Sequence, residues 1–129
     1  MAGSYIWIGL GGALGAVARV GIMRILPSFI LSVPFKVFLV NILGCFLIGL
    51  LTEAMAFYGN VSINMRHFLI QGFLGGFTTF SAFALEFGLL YEKGSHFTAI
   101  FYAALSVIVC IISFFVGLRI LRLFMQFLS

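Results

Sequence analysis

Polar groups set inside long apolar segments are the residues best able to do chemistry in this sequence, because each must find a partner or bind something. The densest run is Gln71-Gly72-Phe73-Leu74-Gly75-Gly76-Phe77-Thr78-Thr79-Phe80-Ser81-Ala82-Phe83, with apolar residues on both sides. Gly75-Gly76 followed by Thr78-Thr79 makes a poor continuous helix: glycine costs about 1 kcal/mol against alanine, and threonine is stiff at its first torsion. A break there would free backbone carbonyls at membrane depth, tolerable only where they are buried in protein or hold a ligand. Carbonyls turned toward one point suit a hard cation such as sodium. The competing reading is an unbroken helix whose glycines form a packing face.

Phe80 and Phe83 are three residues apart and share a helix face just past the expected break. They are either packing residues or, through the positive edge of the ring quadrupole, contacts for an anion shedding its water. Ser81 lies between them in sequence, on a different face, and can donate a hydrogen bond. Asn41 sits in Val40-Asn41-Ile42-Leu43-Gly44. Its amide carries two donors, which suits either a pore or a bond between helices. Tyr102, Ser106 and Cys110 recur every four residues as a weakly polar stripe, extended to the interface by Thr98. The two hydroxyls of that stripe can hydrogen-bond a dehydrating ion. Glu86, six residues past Phe80, is compatible with a cation partner, a capping role or an interfacial position.

The elements that must position these residues follow from composition. The 129 residues are 64% hydrophobic and only 8% charged, against about 25% charged in ordinary soluble domains, and the mean hydropathy is +1.28. Lipid is therefore the expected solvent. Four apolar stretches approach the roughly 20 residues needed to span a bilayer: 5–25, 35–58 after Pro34, 66–91 and 97–118. The expected fold is an all-α membrane protein, four transmembrane helices in one domain over 1–129, with the third helix broken at its centre. The first stretch lacks the basic flank of a cleavable signal. Arg19, Arg24, Lys36, Arg66, Lys93, Arg119 and Arg122 are scattered singly, as interfacial anchors would be, and form no nucleic-acid patch. Cys45 and Cys110 read as small buried residues, and His67 and His96 as solvated residues in or beside loops. No nucleotide loop, zinc-protease motif or triad-like set is present, so an enzyme is not expected.

Four spans put both ends of the chain on one side of the membrane. That side then carries Arg66, Arg119 and Arg122; the other carries Arg24, Lys36 and Lys93, with Arg19 as a possible fourth. A bias this small gives little orientation signal, so the chain either inserts both ways and pairs antiparallel or is oriented by something else. Four helices make a thin bundle, which favours oligomerisation. Gly11-x-x-x-Gly15 and Gly72-x-x-x-Gly76 permit close helix approach.

The 75–83 run, with Asn41 in its Val-Asn-Ile-Leu-Gly setting and Arg19 in Gly15-Ala16-Val17-Ala18-Arg19, resembles the Fluc family of fluoride channels over essentially the whole chain. The resemblance implies a dual-topology antiparallel homodimer in the cell membrane, passively exporting fluoride through two pores. It further implies a structural sodium ion where the broken helices cross, held by backbone carbonyls of Gly75 and Thr78. Phe80 and Phe83 become the pore phenylalanines and Asn41 the vestibule amide, with Ser81 beside them. Tyr102 and Ser106 become a polar track, Cys110 standing where some relatives carry a hydroxyl, and Arg19 lies near the aqueous entrance. The main rival, a small dual-topology multidrug or cation transporter, needs a carboxylate in its first helix. Residues 5–25 contain none.

Overall fold

A computed structural model describes residues 2–128. Four apolar helical segments, Ala2–Ile25, Phe35–Tyr58, Ile63–Glu92 and His96–Leu128, are long enough to cross a membrane. The chain is a multi-pass membrane protein. Helix α1 (Ala2–Ile25) leads into a two-strand hairpin, β1 (Phe29–Ile30) against β2 (Val33–Pro34). The pairs are Phe29 with Pro34 and Ile30 with Val33. The hairpin turns on Leu31 and Ser32, both with positive φ, and Leu31 is 92% exposed. Pro34 then precedes α2 (Phe35–Tyr58), which ends on Gly59 at φ 72 with its amide on the Met55 carbonyl. That left-handed cap suits a residue without a Cβ.

The third span is composite. Helix α3 (Ile63–Arg66) is capped by the Ser62 hydroxyl, which accepts from the Met65 amide at 3.1 Å. A π-helical stretch, His67–Leu74, follows, then a single turn, α4 (Gly75–Phe77). At Thr78 and Thr79 the chain is extended, with φ/ψ of −83/154 and −150/115. Helix α5 (Phe80–Glu92) resumes the span, and α6 (His96–Leu128) is the last described element. The break falls where the glycine and threonine run predicts it. The fourth helix, expected to stop near 118, continues to Leu128. At about 1.5 Å per residue it is close to 50 Å long, well beyond a hydrocarbon core of about 30 Å. Its added turns are held by an ion pair. Arg122 Nε and Nη2 donate to the two carboxylate oxygens of Glu53 at 3.0 and 3.1 Å. Arg122 is thus a paired residue rather than a free anchor.

Two helix pairs carry the packing: α1 against the π stretch and α4, and α2 against α6. Both rest on glycines. A Cβ on Gly11 would meet the Phe68 carbonyl oxygen and lie 2.9 Å from the Phe73 nitrogen. One on Gly15 would meet the Phe73 carbonyl and lie 3.0 Å from the Phe77 nitrogen. Gly72 answers at 2.8 Å from the Ile8 carbonyl and Gly76 at 2.5 Å from that of Gly12. The two small-residue motifs therefore bring spans one and three together within one chain. The contact between α2 and α6 is reciprocal in the same way: Gly49 faces Phe114 and Leu118, and Gly117 faces Phe46 and Leu50. With Glu53 beside Arg122 and Phe38 beside Tyr102, these contacts show α2 and α6 running parallel.

Two outcomes test this packing. Gly15→Val should abolish the monodisperse peak in detergent size-exclusion chromatography, whereas Gly21→Val, where an added Cβ meets nothing within 4 Å, should elute as wild type. In thermal unfolding, Glu53→Ala and Arg122→Ala should each lower the midpoint, and the double variant should fall no further than the worse single one.

Candidate functional site

The break is organised by one side chain. Asn41, on α2, donates from Nδ2 to the Thr79 carbonyl at 3.1 Å and accepts the Thr79 amide on Oδ1 at 2.8 Å. A primary amide offers the same donor and acceptor pair as a peptide, so Asn41 pairs like a strand neighbour with Thr79, whose amide precedes α5 and has no helical acceptor. Gly44, one turn along α2, completes the fit. A Cβ there would collide with the Thr78 methyl group. Thr79 also starts α5, its hydroxyl accepting the Ala82 amide at 3.1 Å and lying 3.3 Å from the Ser81 hydroxyl. Thr78 ends the preceding turn, its amide and hydroxyl both donating to the Leu74 carbonyl at 3.0 and 2.9 Å.

These bonds decide which carbonyls the break releases. In an unbroken α-helix the Thr79 amide would close on the Gly75 carbonyl and the Ala82 amide on that of Thr78. Here the first goes to Asn41 and the second to the Thr79 hydroxyl. The helical donors to Gly75 and Thr78 are thereby withdrawn, and these are the two residues whose carbonyls the sequence resemblance assigned to a cation. Neutral carbonyl oxygens at a helix break fit a hard monovalent ion of the sodium type.

The break opens on a cavity of about 360 Å³ between α2, the third span and α6. Asn41, Gly75, Thr78, Phe80, Phe83 and Ser106 all line it, with Cys45 and Cys110. None of the lining residues is charged. The Phe80 ring is 78% exposed and lies 5.4 Å from that of Phe83, which in turn lies 5.3 Å from the Tyr102 ring. Tyr102 is fully buried behind Phe83 and does not reach the cavity wall. Its hydroxyl and that of Ser106, which is only 6% exposed, face each other along α6, yet neither has a hydrogen-bond partner at bonding geometry. A buried hydroxyl left unpaired costs about 1–3 kcal/mol, and of the two only that of Ser106 lies on the cavity wall, where a ligand can reach it.

Other expected residues fall elsewhere. Ser81 is exposed outside the cavity lining, its nearest polar neighbour being the Thr79 hydroxyl. Arg19 lies on α1 one turn beyond Gly15, on the face turned to the third span, with a buried Nε that has no partner. His67, expected to be solvated, is half-buried at the start of the π stretch, with Nδ1 unpaired. His96 is exposed but stacks on Tyr91 with centroids 4.2 Å apart. The cysteines line the cavity rather than packing away from it. Sequence reasoning missed the capping and pairing roles of Thr79. The threonine three residues before the Ala82 amide is an N-cap pattern that could have revealed the first.

Asn41→Leu removes both partners of Thr79 at once. It should destabilise the fold by about 1–3 kcal/mol, chiefly the cost of leaving the buried Thr79 amide unpaired, since the Thr79 carbonyl still accepts the first bond of α5. The readout is the denaturation midpoint in detergent, with Asn60→Leu, in the exposed link between spans two and three, as an unaffected control.

Comparison with known proteins agrees with this geometry. The family model described as CrcB-like protein, Camphor Resistance (CrcB), matches residues 6–118. A protein of Agrobacterium fabrum named fluoride-specific ion channel FluC is 46% identical over 120 residues, covering 89% of this chain and 93% of that protein. Fluoride-specific ion channel FluC 2 of Nitrobacter hamburgensis is 39% identical over 120 residues, 92% of this chain and 97% of its own. A FluC protein of Francisella tularensis is 38% identical over 117 residues, 88% and 90% of the two chains. These names describe ion channels, not enzymes. With its broken third span and the cavity that the break opens, the chain belongs to the CrcB-like family, whose relatives carry the fluoride-channel name that its 75–83 run resembles.

Proposed function

We propose that this protein is a fluoride channel that lets the anion leave the cytoplasm passively across the plasma membrane, acting as an antiparallel homodimer with two pores. The observation that carries this reading is the composition of one cavity. Two phenylalanine rings and an unpaired buried hydroxyl line it beside a helix break, without a charged group. Dehydrating a small anion calls for several weak donors in series rather than one strong site, from which the ion could not depart. Ring edges of Phe80 and Phe83, the Ser106 hydroxyl and the second Asn41 N–H supply such donors, and Tyr102 stands behind Phe83 as the next hydroxyl of the track. Arg19 raises the anion concentration at the aqueous entrance, and Ser81 serves the exposed approach.

The exposed Phe80 ring, at 78%, favours a second subunit across the cavity mouth. The near-balanced basic residues on the two sides favour antiparallel pairing. In that arrangement the Gly75 and Thr78 carbonyls of both subunits would hold a sodium ion, which supplies fixed positive charge that ties the broken helices together. Direction follows from energetics. Hydrogen fluoride enters as a neutral acid and dissociates, and an inside-negative potential drives the anion out at about 2.3 kcal/mol per charge per 100 mV. No coupling site is needed. A proton-coupled transporter would require an embedded carboxylate in the first helix, and α1 has none.

Reconstituted liposomes loaded with fluoride and followed by a fluoride electrode should show rapid efflux, with chloride retained. Equal chloride and fluoride efflux, or none, would overturn the reading. Phe80→Ile and Phe83→Ile should each cut fluoride flux by about tenfold or more, as expected when roughly 1.4 kcal/mol of transit stabilisation is lost, with unchanged size-exclusion profiles. Wild-type flux in both variants would reduce the rings to packing.

A further inference from the structure

Cys45 and Cys110 are not used by the fluoride path as derived above. They stand on the closely packed parallel pair α2 and α6. Both sulfhydryls are free, half-buried and part of the cavity lining. In the register that sets Gly49 against Phe114, one turn back along each of these parallel helices sets Cys45 opposite Cys110 on the same cavity wall. Ser106, one turn before Cys110, lines the same wall with an unpaired, 94% buried hydroxyl, since only 6% of the residue is exposed. The site is therefore two soft donors side by side and a third, neutral oxygen donor within one helical turn, reachable from the cavity.

We propose that Cys45 and Cys110 form a two-coordinate binding site for a soft closed-shell metal ion, and that its occupancy closes the cavity to the anion. Thiolate sulfur selects such ions over the hard cations that carbonyl oxygens prefer. The exchange balances simply. With a divalent soft ion two S–H bonds break, two sulfur–metal bonds form, and two protons leave through the open cavity. The product carries no net charge, so an apolar wall accepts it without the penalty that a buried ion meets. The bound ion also ties α2 to α6 at the level of Ser106, where it occupies the space an anion needs to reach that hydroxyl.

Closure of the path rests on the fluoride reading; metal binding does not, and the two are measured separately. Mercuric ion is the probe. Titration into the purified protein should give thiolate-to-metal charge-transfer absorption that saturates at about one ion per chain, with loss of both titratable thiols. Cys45→Ser and Cys110→Ser should each weaken binding by about 100-fold or more, as removal of half of a soft donor set requires. Cys45→Ala and Cys110→Ala serve where serine disturbs folding, with the size-exclusion profile as control. Two ions bound per chain, or single variants that bind as tightly as wild type, would overturn the shared site. In liposomes, wild-type fluoride efflux should stop with mercuric ion and return with a dithiol, while the double cysteine variant is insensitive. Saturated binding with undiminished efflux would overturn closure. Absence of efflux before metal is added would instead count against the fluoride reading, leaving the binding result to stand.

Discussion

A backbone amide at membrane depth has no water to turn to, and this constraint governs the molecule. Breaking the third span strands the amide of Thr79, and the fold answers with the Asn41 side chain, which accepts that amide at 2.8 Å and donates to the Thr79 carbonyl at 3.1 Å. Everything near the site depends on that pairing. It fixes the height of α2 against the break, sets Gly44 under Thr78, and starts α5 at the residue that aims Phe80 and Phe83. The Thr79 hydroxyl takes up the Ala82 amide in turn. The donors withdrawn from Gly75 and Thr78 are thus withdrawn by bonds elsewhere, not by disorder.

The close packing has a matching logic. In lipid, helices gain little from hiding apolar side chains, so contact comes from backbones that approach closely. Gly11, Gly15, Gly72 and Gly76 do this for spans one and three, and Gly49 and Gly117 for the parallel pair. Most large apolar side chains are left facing outward, as the exposed Leu14, Ile111 and Phe124 illustrate. The described residues form almost no conventional core. Its small buried cluster, Leu90, Ala99 and Tyr102, lies under Phe83 and Phe87 and steadies the rear of the site.

Hydropathy made the four spans legible, and the Gly75-Gly76 and Thr78-Thr79 pairs made the break legible, because helix propensity and membrane depth conflict at those residues. The side-chain-to-backbone pairing was visible only as two alternatives for Asn41, since a single amide suits a pore and a helix contact equally well. Glu53 and Arg122 lie 69 positions apart, and nothing local connects them. The requirement that a charge within an apolar span find its opposite could have prompted a search for that pair. The extension of α6 past 118 was obscured because Arg119 and Arg122 look like an interface boundary until the carboxylate partner is seen. The small-residue motifs revealed close approach but not which helix would approach.

The interrupted span has one more consequence. Peptide dipoles add along a helix, leaving partial positive charge at its amide end and partial negative charge at its carbonyl end. The segment before Thr78 finishes here with its carbonyl end, and α5 begins two residues later with its amide end. Regions of opposite potential therefore sit side by side in the middle of the membrane, without a single ionised side chain in the cavity wall. One polarity would suit the cation and the other the anion of the proposed function, so a single interruption of the backbone offers both kinds of site through orientation alone.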